Sequence, residues 1–383
     1  MRYTTSGESH GRALTAIVTG VPAGIPIEQQ SIDADLARRQ VGYGRGGRMA
    51  IEQDRGLVLS GVRFGRTIGS PVTITVANRD WDNWTDVMSS SGSPDDAPCV
   101  TAPRPGHADL PGILKTGSVD VRDILERASA RETAARVAAG SVAKAFLTVL
   151  GVSVRSLVTS IGDAALSGDI DITRVDWDAV ESSDVRCPDA QTAAAMRATI
   201  DAAAAAGESL GGTFCVVSSG VVPGLGGYAE ASQRIDAALA AALVSIPAIK
   251  GVEFGDGFRL SQVPGSRAHD EIHFDEKTGY YRTTNHAGGL EGGMTNGEQL
   301  VVRAAMKPIP TLMTPLASVD IETHEAVDAS RERSDVCAVP AAAVVAEAEV
   351  AMVLAHAYLN KFGHDCMDDI SAAVAAYRSR ITP

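Results

Sequence analysis

The chain has 383 residues, of which 45% are hydrophobic and 21% charged, and this composition predicts a globular protein with one large domain or two. Without a signal-like amino terminus or a run of eighteen apolar residues, we expect a cytoplasmic protein with no membrane span. A net charge of −13 and 4% aromatic residues argue against nucleic acid as a partner, and five scattered cysteines without C-x-x-C spacing argue against a metal site.

The amino-terminal region combines a histidine loop with a strand. Gly7 to Gly11 reads G-E-S-H-G and precedes the apolar run Ala13 to Thr19, which we predict to be a strand ended by a Pro/Gly turn. His10 then lies on a loop at a strand end. An imidazole there is a candidate acid or base, with a structural or solvated histidine as the alternative.

Arginines are concentrated around the end of the first predicted helix. We predict that Ser31 caps this helix, which runs through Gln40 with Ile32 and Leu36 on one face. The stretch Arg38 to Met49, R-R-Q-V-G-Y-G-R-G-G-R-M, places four arginines among glycines in an acidic chain. Because guanidinium groups bind carboxylates and phosphates bidentately, the stretch indicates an anion-binding surface; a solvated basic loop is the alternative.

Two strands and a long loop follow. Leu57 to Val62 and Val72 to Val76 read as strands, the second with the two-residue alternation of a half-buried sheet, and an antiparallel pair fits best. The Ser-, Asp- and Pro-rich segment from Asn83 to Pro103 predicts a flexible surface loop. We interpret Trp81 and Trp84 beside it as packing residues.

A second histidine motif precedes a long predicted helix. His107 lies in R-P-G-H-A-D at 104 to 109, a Pro/Gly turn with an arginine and an aspartate close by. Within Arg122 to Leu150, the stretch Leu125 to Thr133 runs into an Ala-rich helix that stops at Gly151.

Ser129 and Glu132 form a capping-box pattern within this segment, and Arg127 and Arg131 flank it. A helix amino terminus with two arginines is a favourable place for an anion. The alternative is that Arg127, Arg131 and Arg136 form only ion pairs on the helix surface.

The second half of the chain faintly repeats the first. A helix from about Ala190 to Ala206, halted at Gly207, is followed by a strand from Gly212 to Gly220 and a Pro/Gly turn, echoing the first strand and its turn. A further helix is predicted from about Ala229 to Val244. This indicates a possible internal duplication, and we keep 1–383 as a single domain.

Two glycine-rich segments and a lysine turn complete the candidate binding elements. Residues 245–258 form a glycine-rich turn, and residues 285–297 have the glycine density of backbone that wraps a ligand. Lys307 to Thr311, K-P-I-P-T, ends a strand and is suited to hold a phosphate or a polar ring edge. R-S-D-V-C-A-V-P at 333–340 leads into an apolar helix from Ala341 to Leu359, which we assign to the core.

Several of these strings together resemble the chorismate synthase family, in family order from Gly7 to about Leu359. They are G-E-S-H-G, the arginine stretch at 38–49, R-P-G-H-A-D, E-R-A-S-A-R-E-T-A at 126–134, N-H-A-G-G-L-E-G-G-M-T-N-G at 285–297 and R-S-D-V-C-A-V-P. The resemblance implies conversion of 5-enolpyruvylshikimate 3-phosphate into chorismate and phosphate by 1,4-anti elimination, with reduced FMN and no net redox change. It also implies an α+β fold, a layered β-α-β sandwich with helices between antiparallel sheets, and a homotetramer.

The resemblance also implies roles for individual residues. His10 would protonate or hold the anionic pyrimidine edge of the flavin, His107 would act as general acid toward the departing phosphate, and Asp335 would relay the proton near flavin N5. The residues that clamp the substrate would be Arg39, Arg45, Arg131 and Ser129. In some relatives, the positions equivalent to Arg39 and Arg45 are also associated with NADPH. The FMN site would comprise Arg127, Ala128, Ser129, Pro247, Ala248, Gly292, Lys307, Pro308, Ile309, Pro310, Thr311 and Arg333.

Two rival functions stay open on the sequence. One is an NADPH-dependent flavin reductase or oxidoreductase, although no strand-to-helix G-x-G-x-x-G fingerprint is present. The other is a non-catalytic scaffold that kept the fold. Because the sequence shows no fused reductase domain, we expect an external flavin reductase to supply the reduced cofactor.

Overall fold

The computed structural model describes residues 1–45, 53–93, 97–168, 171–330 and 335–382, and all structural statements refer to these ranges. The helices are α1 Gln29–Gln40, α2 Asp109–Thr116, α3 Arg122–Ala128, α4 Thr133–Val149, α5 Trp177–Ser182, α6 Ala190–Ala205, α7 Ile235–Val244, α8 Gly265–Ala268, α9 Val339–Phe362 and α10 Met367–Ile381. The strands are β1 Arg2–Ser6, β2 Ala13–Thr19, β3 Gly56–Ser60, β4 Val62–Arg63, β5 Arg66–Thr67, β6 Val72–Ala77, β7 Ser153–Ile161, β8 Ala164–Ala165, β9 Gly212–Ser219, β10 Ile249–Phe254, β11 Ile272–Asp275, β12 Gly279–Arg282, β13 Leu290–Glu291, β14 Met294–Thr295, β15 Leu300–Met306, β16 Ala317–Val319 and β17 Ala326–Asp328.

Two antiparallel sheets form the framework, with strand orders β1-β2-β6-β3 and β10-β15-β9-β7-β8. Buried and less buried side chains alternate along β6, as expected for a strand with one face on the core. Val72, Ile74 and Val76 are buried on that face, while the residues between them are not. The predicted antiparallel pair is confirmed, with Val58 opposite Ile74. The mixed α+β class with antiparallel sheets is therefore confirmed.

Helices α4 and α9 form the centre of the core. Helix α4 packs on β1, β2 and β6, α9 packs on β7 and β9, and the two helices pack against each other. The predicted core helix is confirmed as α9, whose apolar stretch has a mean hydropathy of 1.5 and is 89% buried inside the fold. Length and composition alone would also suit a membrane span, and this burial identifies α9 as an interior helix.

The contact between α4 and α9 depends on a glycine. A Cβ built at Gly140 would overlap the Cβ of Ala348 and lie 2.6 Å from its Cα, so the clash is with backbone. We expect Gly140→Ala to lower the free energy of unfolding by about 1–3 kcal/mol through overpacking, despite the better helix propensity of alanine. The melting temperature measures the effect.

Gly112→Ala is the matched control, because Gly112 is also in a helix but faces the flexible side chain of Ile124. We expect a smaller loss there. Equal melting temperatures for the two variants would contradict the argument from backbone overlap.

Local features of the sequence set most boundaries correctly. Strand β2 has the predicted bounds, α6 and β9 agree within one residue, and Gly151 and Gly207 take the predicted left-handed conformation after their helices, with φ of 75° and 73°. The described residues of 83–103 form no α-helix or strand beyond a single 3₁₀ turn that ends at Asn83.

Three helix predictions were wrong in detail. Ser31 does not cap α1, which begins at Gln29 after Glu28. Ser129, predicted as the cap of the Ala-rich helix, is extended with ψ of 144° and caps a short 3₁₀ turn instead, and α4 begins only at Thr133. Helix α7 begins at Ile235, because the preceding residues form a separate 3₁₀ turn that ends at Gln233.

Candidate active site

His10 lies in the loop between β1 and β2 and is fixed by a buried carboxylate. Its Nδ1 is 2.9 and 3.0 Å from the two carboxylate oxygens of Glu126, and its backbone N–H donates to the same carboxylate at 2.8 Å. The ring of Trp84 stacks on the imidazole with a centroid distance of 3.7 Å. His10 thus has a defined orientation, and Trp84 contacts a predicted catalytic group in addition to packing.

Asp54 joins two of the predicted anion-binding arginines. Its carboxylate accepts a hydrogen bond from Arg131 at 2.5 Å and from Arg39 at 3.4 Å. Arg39 also donates to the hydroxyl of Thr133 at 3.0 Å and to the carbonyl of Ala130 at 3.1 Å. All three charged residues are buried. Their contacts join the end of α1 to the turn that precedes α4 in one charge cluster.

Arg45 and Asp335 extend this cluster. Their side chains form an ion pair with a 2.9 Å separation between Nη1 and Oδ2. Burial lowers the pKa of Arg39 to about 10, a shift that Asp54 opposes and that the nearby charges of Arg131 and Arg45 reinforce. The cluster contains three arginines and two aspartates, so its formal charge is +1, whereas the whole chain has a net charge of −13.

Ser129 and Arg127, both at the junction of α3 and α4, have different environments. Ser129 accepts a hydrogen bond from the backbone N–H of Arg131 at 3.3 Å and donates to the hydroxyl of Ser9 at 3.1 Å, which places it beside His10. Arg127 donates to the backbone oxygens of Gly7 and Thr5 at 2.9 and 3.0 Å. Its guanidinium group is thus hydrogen bonded to the backbone of β1 and of the loop that follows it.

The capping box was predicted only half correctly. Ser129 caps the short turn, but the carboxylate of Glu132 binds the hydroxyl of Thr5 at 2.5 Å and Nε of Arg136 at 2.8 Å. Of the three arginines for which surface ion pairs were the alternative, Arg131 pairs with Asp54 in the buried cluster, Arg136 pairs with Glu132 and Glu349, and Arg127 lies 3.9 Å from Glu132.

His107 is held by a second carboxylate. Its Nδ1 hydrogen bonds the buried carboxylate of Asp109 and lies 3.1 Å from Nη2 of Arg104. Arg104 in turn donates to Asp109 at 2.9 Å and to Thr311 at 3.3 Å. Burial would raise the pKa of Asp109, but hydrogen bonds from His107 and Arg104 outweigh it and hold that pKa well below its usual range.

The lysine turn lies next to His107. Lys307 donates to the carbonyl oxygen of Gly106, a neutral partner, and its backbone N–H donates to Ala248 at 3.0 Å. Ala248 has a φ of +67°, which is unusual for a residue other than glycine and shapes the turn after Pro247. Ile309 accepts a hydrogen bond from Ser209 through its carbonyl oxygen at 2.6 Å.

One predicted cofactor residue lies apart from the rest. Gly292 is in the turn between β13 and β14, where Gly293 accepts a hydrogen bond from Ile235, the first residue of α7. Pro247 follows the other end of α7, whose ten residues span about 15 Å. Gly292 and the lysine turn thus lie near opposite ends of α7. Arg48 and Arg333 lie outside the described residues.

A short backbone segment connects the two histidine groups. Val336 donates to the carbonyl of Gly44 at 2.8 Å, beside Arg45, and accepts from Leu210 at 2.8 Å, beside Ser209 and the lysine turn. The segment precedes α9, and the arginine cluster precedes α4. Both central helices thus begin at the site, and helix amino termini favour anions.

The hydrogen-bond donors at the site fit an anionic ligand that has a phosphate group and a ring edge with carbonyl oxygens. Reduced FMN is such a ligand. Guanidinium groups, the Lys307 ammonium and the hydroxyls of Ser9 and Ser129 are hydrogen-bond donors, and the arginine cluster has net positive charge. Among the described residues, Lys307 forms no ion pair, so its charge is not cancelled there by a carboxylate. We conclude that the residues fit both a phosphorylated substrate and this cofactor.

Sequence reasoning missed three residues that shape the site. Asp54, Glu126 and Trp84 meet their partners across large separations in sequence, from 15 residues for Asp54 and Arg39 to 116 for Glu126 and His10. Glu126 had one available signal, because it begins the motif E-R-A-S-A-R-E-T-A.

Comparisons with known proteins agree with this geometry. The family model described as chorismate synthase matches residues 1–359. Similar curated proteins named chorismate synthase include one from Moorella thermoacetica, 55% identical over 99% of this chain and 98% of its own, and one from Symbiobacterium thermophilum, 55% identical over 100% and 99%. A crystal structure of chorismate synthase superposes with a TM-score of 0.79 and 39% identity, covering 100% of this chain and 98% of that one. The chain belongs to the chorismate synthase family.

Proposed function

We propose that this chain carries out its family's reaction, the 1,4-anti elimination of phosphate from 5-enolpyruvylshikimate 3-phosphate to give chorismate, at the site described above. The observation that carries the assignment is the buried arginine cluster beside two histidines, each hydrogen bonded at Nδ1 to a buried carboxylate. The substrate has a phosphate and two carboxylates, and an acidic protein needs such a local concentration of arginine to hold it.

Substrate binding is assigned to Arg39, Arg45 and Arg131, with Ser129 beside them. Asp54 and Asp335 keep the three guanidinium groups in place without cancelling their summed charge. A clamp that is already formed reduces the entropy lost when the substrate is oriented.

Reduced FMN, when bound, supplies electron density to the elimination and takes part in removing the hydrogen from a weakly acidic carbon. We assign its binding to the junction Arg127 to Ser129, the turn Pro247–Ala248 and the segment Lys307 to Thr311. Arg333 and Gly292 belong to the same assignment, with Gly292 near the other end of α7.

Proton handling is assigned to three side chains. His107 donates a proton from its imidazole to the leaving phosphate, and Asp109 stabilises the charged ring. His10 keeps its Nδ1–H on Glu126 and contacts the anionic edge of the cofactor through Nε2, which donates when the ring is protonated, and the carboxylate of Asp335 moves the proton taken from the substrate. Arg45 keeps Asp335 at the mouth of the arginine cluster.

The two main sheets support an internal duplication and a layered arrangement. In the first, β6 lies between β2 and β3; in the second, β15 lies between β9 and β10, and a helix follows β2 and β9 in each case. We propose that 1–383 is a single domain built from two such units, with α4 and α9 between the sheets. A homotetramer in the cytoplasm, supplied with reduced flavin by an external reductase or by NADPH, completes the proposal.

An anaerobic assay tests the function. We expect phosphate and chorismate from 5-enolpyruvylshikimate 3-phosphate when FMN is reduced with dithionite, no product with oxidised FMN, and no flavin oxidised per turnover. Product with NADPH and FMN alone would assign flavin reduction to the chain itself.

Two outcomes would contradict the proposed function. Stoichiometric oxidation of NADPH without chorismate would identify a flavin reductase. Tight binding of substrate and flavin without product under any condition would identify a non-catalytic scaffold.

A further inference from the structure

We infer that Glu126 and Trp84 are positioning residues that fix the tautomer and the plane of the His10 ring. Glu126 contacts the edge of the imidazole through Nδ1, and Trp84 covers its face. The inference deepens the proposed function, because His10 is there assigned to the cofactor.

The carboxylate of Glu126 determines which nitrogen of the neutral ring carries the hydrogen. Both oxygens lie within hydrogen-bond distance of Nδ1, and an ionised carboxylate only accepts hydrogen bonds. Neutral His10 therefore carries its hydrogen on Nδ1 and has its lone pair on Nε2. Free histidine prefers the opposite tautomer, so the protein selects this one.

Glu126 stays ionised despite its burial. Its side chain is 1% exposed, and burial alone would raise its pKa, but the hydrogen bond and charge of His10, together with the charge of Arg122, lower that pKa. Arg122 donates to the same carboxylate at 3.2 Å. The backbone N–H of His10 also donates to Glu126, so main chain and ring are held by one group.

Trp84 is itself held at both ends. Its indole N–H donates to Asp80 at 2.9 Å, and the guanidinium of Arg122 lies 5.5 Å from the ring centroid, within cation–π range. Arg122 therefore touches both partners of His10. The His107 pair has a carboxylate and an arginine but no such indole, so the stacking distinguishes the two histidines.

The test measures the His10 tautomer directly in the ligand-free protein. We expect ¹⁵N NMR, at a pH where the ring is neutral, to show His10 with its hydrogen on Nδ1 in the native chain. In Glu126→Gln a substantial population of the Nε2–H tautomer appears. Glu132→Gln, which changes another buried glutamate near β1 that does not contact His10, leaves the tautomer unchanged.

Kinetics separates positioning from a purely structural role. With reduced FMN, Glu126→Gln is expected to lower kcat by about 10- to 100-fold while KM for the substrate changes by less than about threefold, because the arginine clamp is untouched. Trp84→Ala lowers kcat in the same way, and Trp84→Phe, which can still stack, restores most of it.

Each result bears on the inference. An Nε2–H tautomer in the native chain, or an unchanged tautomer in Glu126→Gln, overturns it whether or not the chain makes chorismate. A fall in activity with a normal tautomer and a lowered melting temperature would assign Glu126 to stability alone. Failure of the proposed function leaves the NMR result intact, so the two failures are distinguishable.

Discussion

His107→Ala is expected to lower kcat by about 10²- to 10⁴-fold, the usual contribution of a general acid. The phosphate leaves as a highly charged group, and the imidazole of His107 is the side chain assigned to donate a proton to it. Asp109 accepts rather than donates, because its pKa is held far below the usual range. Single-turnover chorismate formation under anaerobic conditions measures the chemical step, and fluorescence titration measures the affinity for FMN, which we expect to change little.

His286→Ala is the matched control for this experiment. His286 also pairs through Nδ1 with an aspartate, Asp256, at 2.7 Å, but it lies in the loop that packs near the Phe254 end of β10, away from the lysine turn. Because His286 lies in the same segment 285–297 as Gly292, we expect only that its loss slows the chemical step far less than the loss of His107. Unchanged turnover in His107→Ala would remove that residue from the mechanism.

Glu347→Ala is expected to lower the free energy of unfolding by about 3–5 kcal/mol, the cost of removing one partner from a buried ion network. Glu347 is fully buried in α9 and accepts hydrogen bonds from Arg38 at 2.8 Å, Lys144 at 2.6 Å and Ser156 at 2.6 Å. Without it, the two cations keep Asp35 as a partner but lose their buried carboxylate. Urea unfolding measures the loss.

A neighbouring glutamate provides the control. Glu349, two residues along α9, is also buried, but burial raises its pKa, so its charged form is poorly stabilised. Glu349→Gln should cost less than Glu347→Gln. Similar losses for the two variants would show that the network contributes no more than the shape of the side chain.

The lowered pKa of Glu347 makes the stability of the protein depend on pH. Burial would raise the pKa of Glu347, but Lys144 and Arg38 lower it below its usual range. A lowered folded-state pKa contributes stability that is present above the ordinary glutamate pKa and is lost as pH falls toward the folded value. In Glu347→Gln this part of the acid sensitivity should therefore disappear.

Local sequence patterns sufficed for elements whose burial alternates regularly. Strand β2 and the glycine stops of α4 and α6 follow from side-chain period and left-handed backbone, both of which neighbouring residues determine. The capping pattern at Ser129 indicated a helix start, but it did not predict the short 3₁₀ turn that separates α3 from α4. This 3₁₀ turn exists because Ser129 turns toward Ser9 and Arg131 toward Asp54, contacts that only the folded chain creates.

The candidate site was predictable as a set of residue types but not as a set of pairs. The arginines and both histidines were found from their motifs and from the family resemblance. Their carboxylate partners Asp54 and Glu126 were not, since buried charges find partners in space and the chain offers 47 acidic residues to choose from. Gly292 is a motif residue that lies near the opposite end of α7 from the lysine turn.

Asp54 binds two guanidinium groups and so reduces the net charge of the arginine cluster. That charge affects how an anionic substrate reaches the site. The chain as a whole repels a multiply charged anion, and the attraction of the arginine cluster is screened beyond about 8 Å at physiological ionic strength. Screening shortens the range of the repulsion in the same way, so at physiological ionic strength the substrate is attracted only within about 8 Å of the arginine cluster. Added salt weakens interactions between separated charges more than contacts inside the buried cluster, so we expect selectivity to be expressed after entry rather than during diffusion.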